Sequence, residues 1–164
     1  MEIRLGDGDA KLYSRLKVSS LDLDFAQYCL GVILKRRWHH QPWDKRGTIY
    51  LQQSAFTSAL VVAYARPFTK SDGWPHFPPG LKRFDGAEDK LHDHMIELRH
   101  TVFAHSDSRN YSVSPWQSGK FSTDVVGVPA FRMSGEQAVL LNGMIAKLQL
   151  AIRRRMNQIL RVEG

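Results

Sequence analysis

The feature that most constrains the fold is a strong helix signal near the end of the sequence. The segment Ser134–Gln137 is a capping-box pattern, in which Ser134 caps a helix and the Gln137 side chain reaches back to the cap backbone. Apolar residues then recur at helical spacing from Val139 to Leu160. We therefore predict a long amphipathic helix that begins just after Ser134.

Helical spacing of apolar residues also marks the first two thirds of the sequence. The predicted helices there begin near residues suited to caps and end near cations or a proline, as helices commonly do. They are a short helix at Asp9–Leu16, a helix from Ser19 or Ser20 to about Arg37, a helix from Thr48 to about Ala65, and a helix from near Asp85 past Arg99.

The segment Asn110–Met133 has a different pattern, with Tyr, Val and Phe residues separated by turn residues. It favours a small hairpin or an irregular flap. Four substantial helices with one such insert predict an all-α fold, an up-and-down bundle of four to five helices with the insert before the last helix. A chain of 164 residues fits one domain, so we expect residues 1–164 to form a single helical unit.

Charge and composition narrow the classes of partner and compartment. Lys and Arg outnumber Asp and Glu by 23 to 16, and a basic balance of this size favours a polyanionic partner. The single cysteine, Cys29, cannot form an internal disulfide, and we expect it to be a small buried apolar residue. No secretory signal and no membrane-length apolar run is present, so a cytoplasmic location is expected.

The candidate chemistry lies late in the third predicted helix. Leu91, Met95, Leu98 and Val102 form an apolar stripe, and His105 is the next step on that stripe. Arg99 lies six residues before His105, which is a rise of about 9 Å and a rotation of about 120° on an ideal helix. The two side chains can flank one cleft if the helix loosens. A guanidinium can hold a phosphate, and an imidazole can move a proton near neutral pH.

An arginine, a polar residue, a few further residues and then a histidine resemble the signature of the HEPN superfamily. Here the signature stands as Arg99, His100, the segment Thr101–Ala104 and His105. The resemblance implies a helical bundle, usually a homodimer, that cuts RNA without a metal or other cofactor. Arg99, His100 and His105 would be the catalytic residues, with His100 in a supporting role. The run Leu98–Asp107 looks like that of HEPN toxins from phage-defence and toxin–antitoxin systems, so a cognate antitoxin protein is a possible partner.

Other interpretations of the same residues stay open. A histidine on an apolar stripe is often a satisfied core residue, and a non-catalytic bundle that binds a protein or nucleic acid is the alternative function. Glu97 and His100 have the Glu-x-x-His spacing of carboxylate-bridged metal sites, with Asp93 on the same face, but no other helix offers a second such pair. His92 and Asp93 form a lone pair that lacks further ligands at a recognisable spacing.

Three more arginines are weaker candidates for RNA binding. Arg66 ends the second predicted helix, where it either turns toward the Arg99 cleft or caps its own helix carbonyls. Arg153 and Arg154 belong to a dense positive patch on the last helix, where a solvated face is as reasonable as an RNA track.

Overall fold

The computed structural model describes residues 5–41, 44, 47–103, 112–127 and 132–161. Within these residues the chain is mainly helical, with one antiparallel hairpin, which confirms the predicted helical bundle with an insert before the last helix. The helices are α1 (Asp7–Arg36), α2 (Thr48–Ala65), α3 (Gly86–Leu98) and α4 (Gly135–Leu160), and the strands are β1 (Ser112–Ser118) and β2 (Phe121–Gly127). Short 3₁₀ turns lie at Arg66–Phe68 and Pro79–Leu81, and a π-helical turn lies at Arg99–Phe103.

Hydrogen bonds at the helix ends show that α1 runs antiparallel to both α2 and α4. Arg15, near the start of α1, donates from Nη2 to the Pro67 carbonyl just beyond the end of α2, at 2.7 Å. At the opposite end, Nδ1 of His39 lies 2.8 Å from the carbonyl oxygen of Met133, which precedes α4. Helices α2 and α4 therefore both run opposite to α1 around one core.

Helix α1 is one continuous helix, so the predicted break near Ser19 and Ser20 is wrong. Ser19 is fully buried inside the helix and caps nothing. Serine costs only about 0.5 kcal/mol relative to alanine in a helix interior, and the buried Leu16 and Leu23 on either side hold the chain helical. Cys29 is buried on the same face, as expected.

The opposite side of α1 carries a second apolar stripe that the described residues do not cover. Phe25 and Tyr28 are about half or more exposed, because the face of α1 that meets α2 and α4 is centred on Leu23 and Leu30. The exposed stripe on α1 is Val18, Leu21, Phe25 and Tyr28.

The apolar stripe of α3 belongs to the core of the chain itself. Leu91, Met95 and Leu98 are all buried, and Met95 is fully so. Helix α3 packs against α2 and α4, and its last turns also continue into the π-helical turn, which packs against α2. This stripe is therefore not free to form an interface with a second copy of the chain.

The hairpin contributes nothing to this core. Its strands pair in register from Ser112–Gly127 to Ser118–Phe121, and every residue of both strands is exposed. Gly119 adopts a left-handed conformation with φ of 61° in the turn, which glycine takes without a Cβ clash. The predicted hairpin within Asn110–Met133 is confirmed for residues 112–127.

Candidate functional site

The Arg99 motif begins where α3 changes its helical geometry. Helix α3 starts with a capping box between Asp85 and Glu88 and keeps α-helical geometry to Leu98. From Arg99 to Phe103 the backbone continues as a π-helical turn, whose hydrogen bonds span five residues and whose turns are wider. The helical backbone thus continues past Arg99, as predicted. Its geometry changes there from α-helical to the wider π-helical turn, at the residue where the motif starts. Such widened turns are frequent at functional sites.

Arg99 and His100 are brought into direct contact. Nη1 of Arg99 lies 3.1 Å from Nδ1 of His100. A guanidinium can only donate, so Nδ1 of His100 accepts this hydrogen bond and the ring proton is carried on Nε2. Arg99 is half-buried and His100 is exposed. The pair therefore presents a permanent positive charge and an outward N–H donor side by side, which is a suitable arrangement for binding a phosphate.

The next residue also shows why the backbone is loosened here. The Thr101 hydroxyl donates to the Glu97 carbonyl oxygen at 2.8 Å. A threonine that bonds back to the preceding turn competes with regular helical hydrogen bonds and bends helices. This local competition, together with the β-branched Thr101, favours the wider turn at Arg99.

The predicted proton carrier, His105, lies outside the described residues. Its relation to Arg99 and His100 therefore stays a prediction from the sequence.

Arg66 does not turn toward Arg99. Its Nη1 forms an ion pair with Oδ1 of Asp22 on α1, at 3.2 Å. Tyr64, near the end of α2, contacts His92, and Arg99 lies seven residues beyond His92, a rise of about 10 Å along α3. The structure thus places Arg66 and Arg99 at different levels of the bundle.

The carbonyls at the end of α2 are bound by a residue that the sequence did not single out. The buried Arg15 of α1 donates to the carbonyl oxygens of Arg66, Pro67 and Thr69, at 3.4, 2.7 and 3.3 Å. The expectation that Arg66 caps these carbonyls with its own side chain is therefore wrong. Burial lowers the pKa of Arg15 from its usual value, but an arginine remains charged throughout the pH range of proteins. The sequence feature that could have identified Arg15 is its position on the buried face of α1, one residue before Leu16.

Arg153 and Arg154 are exposed but face different grooves of the surface. Arg153 lines a groove between α1 and α4 that also contains Lys17 and Asp24. Arg154 lines a groove between α4 and the Pro79–Leu81 turn. A rotation of about 100° per residue separates neighbours on a helix, so the positive patch does not form one continuous track.

The Asp93, Glu97 and His100 combination was the metal-binding alternative. Asp93 and Glu97 are exposed on α3, and His100 is held by Arg99. Within the part of the chain that the structure describes, no group of three or more His, Cys, Asp and Glu side chains is placed to hold a metal ion.

His92 belongs to the core rather than to a surface site. Its Nδ1 lies 2.9 Å from the Tyr64 hydroxyl, and its ring meets the Phe68 ring edge-on at a centroid distance of 4.7 Å. Burial, and then the nearby positive charge of Lys82, lower the pKa of His92 to about 4. Burial likewise raises the pKa of Tyr64 well above its usual range. His92 is therefore neutral near pH 7 and accepts or donates hydrogen bonds only within the core.

Comparison with known proteins leaves the chain without an assigned family. No family model, no curated protein and no solved structure matches it. Among the described residues, no helix combines the length and the apolar character needed to cross a lipid bilayer.

Proposed function

We propose that this chain is a metal-independent RNA endonuclease of HEPN type that acts as a toxin or phage-defence effector. The observation that carries the proposal is the contact between Arg99 and His100 at the π-helical turn that ends α3. It supports the HEPN-like interpretation because the arginine and the polar residue that follows it are held as one unit. The basic balance of the chain is also suited to an RNA substrate.

The proposed reaction is an attack of a ribose 2′-hydroxyl on the adjacent phosphorus. His105 accepts the hydroxyl proton as the new oxygen–phosphorus bond forms, and a proton is returned to the departing 5′-oxygen. Arg99 binds the non-bridging oxygens and stabilises the negative charge of the pentacoordinate state. His100, held through Nδ1, is available to donate from Nε2 to the same phosphate. The products are a 2′,3′-cyclic phosphate and a 5′-hydroxyl.

The proposal includes a homodimer, since HEPN-type nucleases commonly share a cleft between two copies. The sequence predicts an interface along the third helix near His105. Leu91, Met95 and Leu98 are buried within the chain and cannot form it, whereas His105 lies outside the described residues. The dimer itself is tested by sedimentation at micromolar concentration. A fully active protein that stays monomeric would contradict the shared cleft, while leaving the roles of Arg99 and His105 open to the test below.

The central test replaces the proposed catalytic pair. We expect Arg99→Ala and His105→Ala each to lower the rate of RNA cleavage by at least about 100-fold, because each removes a proton carrier or a charge stabiliser. Helical circular dichroism should stay unchanged. Matched controls are Arg161→Ala and His76→Ala, which remove exposed side chains of the same types elsewhere. Cleavage by the His105 variant at the wild-type rate would exclude the proposed mechanism.

The same assay in excess EDTA tests independence from metals. We expect cleavage to persist and the products to carry 2′,3′-cyclic phosphate ends, which mass spectrometry identifies. Strict dependence on an added divalent ion would favour a metal site that includes Glu97 and His100. RNA binding without any cleavage would favour the alternative function, a non-catalytic HEPN-like bundle that binds a protein or nucleic acid.

A further inference from the structure

A basic groove lies on the surface between α4 and the loop that precedes α3. It has a volume of about 460 Å³ and runs between the Pro79–Leu81 turn and the second half of α4. We call it the basic groove and define it by its four cationic residues. They are Arg83, Lys147, Arg154 and Arg155.

Among the described residues that line this groove there is no carboxylate, and the charge of the groove is only partly compensated. Lys147 pairs with Glu88 at the start of α3. Arg155 donates to the neutral side chain of Gln158 at 3.2 Å. Within the described residues, neither Arg83 nor Arg154 forms an ion pair with a carboxylate. At least two unneutralised guanidinium groups therefore face the same space, which favours an anion there.

The sequence arranges these residues by helical spacing. Lys147, Arg154 and Gln158 are separated by seven and four residues on α4, so they lie on one face of the helix. Arg83 follows the 3₁₀ turn at Pro79–Leu81, which packs against α4 and brings the loop beside that face. This spacing is the signal by which Lys147 could have been joined to the predicted arginine patch, whereas the approach of Arg83 depends on tertiary packing.

Aliphatic side chains complete the groove. Leu81 and Ala151 are half-buried and Leu150 is about half exposed, and all three line the same space as the cations. Cations around the groove can bind phosphates, and the aliphatic side chains between them can contact sugars. The groove that contains Arg153 differs, because Asp24 lies in it beside Lys17 and weakens its positive field.

We propose that the basic groove binds the phosphate backbone of a single-stranded RNA. The identity of the polyanion as RNA rests on the proposed function. Lys147 of the groove pairs with Glu88 of α3, and Arg99 lies eleven residues beyond Glu88, a rise of about 16 Å along the helix. The groove thus holds a part of the strand at a distance from the bond that is cut. Substrates longer than a dinucleotide gain affinity from it.

The test compares two double variants that remove the same amount of charge. Arg83→Gln with Arg154→Gln alters the basic groove, and Lys35→Gln with Arg36→Gln removes two exposed cations at the end of α1, outside the groove. Binding of a fluorescent 2′-O-methyl oligonucleotide is followed by anisotropy between 0.05 and about 0.5 M salt, a range in which counterion release dominates. The probe lacks the attacking hydroxyl, so binding is measured without cleavage.

We expect the basic-groove variant to reduce the slope of log affinity against log salt by about 1.4, because each lost single-strand phosphate contact removes about 0.7. This corresponds to about 25-fold weaker binding at 0.1 M salt. The control variant should keep the wild-type slope. Equal losses in both variants, unchanged binding in the basic-groove variant, or no binding by the wild-type protein would each overturn the proposal. If the Arg99 and His105 variants lose cleavage but still bind the oligonucleotide with wild-type affinity, the result supports a binding site in the basic groove that is separate from the catalytic site.

Discussion

At the scale of single residues, the lowered pKa of His92 predicts how the free energy of unfolding depends on pH. The folded chain holds its pKa at about 4, and the unfolded chain returns it to about 6.5. Between these values the unfolded state binds more protons, so the free energy of unfolding falls as the pH falls from about 6.5 to about 4. We expect His92→Gln to flatten this part of the stability–pH curve, measured by urea unfolding.

The matched control for this prediction is His76→Gln, which changes an exposed histidine in the loop before α3. Its curve should follow that of the wild type. A wild-type slope that survives in the His92 variant would contradict the assignment of the pH dependence to His92.

The different surroundings of His92 and His100 show which features of single residues could not be predicted from the sequence. His92 and His100 both lie in or next to the third helix, and helical spacing separates the buried position from the exposed one. Spacing does not show that Phe68 and Phe84 contact His92, because Phe68 lies in the turn after α2, Phe84 lies in the loop before α3, and their approach depends on tertiary packing. The hydrogen bond between neighbouring Arg99 and His100 likewise depends on the wider turn, which no periodicity predicts.

At the scale of elements, α1 offers a matched pair of leucines on opposite faces. Leu23 is fully buried and Leu21 is 54% exposed. We expect Leu23→Ala to lower the free energy of unfolding by about 2–5 kcal/mol, since it leaves a cavity in the core. Leu21→Ala should change it by less than about 0.5 kcal/mol. Urea unfolding at two protein concentrations measures both.

The concentration series also bears on the exposed stripe of α1. A loss at Leu21 that grows with protein concentration would contradict the prediction and show that a second copy covers the stripe. Equal losses at both leucines, independent of concentration, would contradict the division of α1 into a buried and an exposed face.

Helix ends were predictable where side chains close the local hydrogen bonds. The capping boxes at Ser134–Gln137 and Asp85–Glu88 mark the starts of α4 and α3, and the first of them was predicted in full. The wrongly predicted helix break at Ser19 also came from interpreting a serine as a cap, although serine is tolerated in a helix interior as well. Which side of α1 is buried depends on the positions of α2 and α4, so helical spacing alone does not show that Phe25 and Tyr28 are exposed.

At the scale of the whole molecule, the hairpin is separate from the structure that holds the fold together. Ser112 and Gly127 are direct partners across the strands, so a short turn can join them. We expect replacement of Val113–Val126 by Asn-Gly to leave helical circular dichroism and the thermal midpoint nearly unchanged, because every replaced strand residue is exposed. A fall of more than about 5 °C in the midpoint would indicate packing of the hairpin on the bundle.

The pairing of α1 with α4 has a consequence for how the chain is made. Helix α1 packs against α2, which follows it, and against α4, which is synthesised after the other helices that the structure describes. At about 5–20 residues per second, about 6 to 25 s pass on the ribosome between completion of α1 and completion of α4. During that time one apolar side of α1 lacks its native neighbour, so until α4 emerges the nascent chain exposes apolar surface of the kind that chaperones bind.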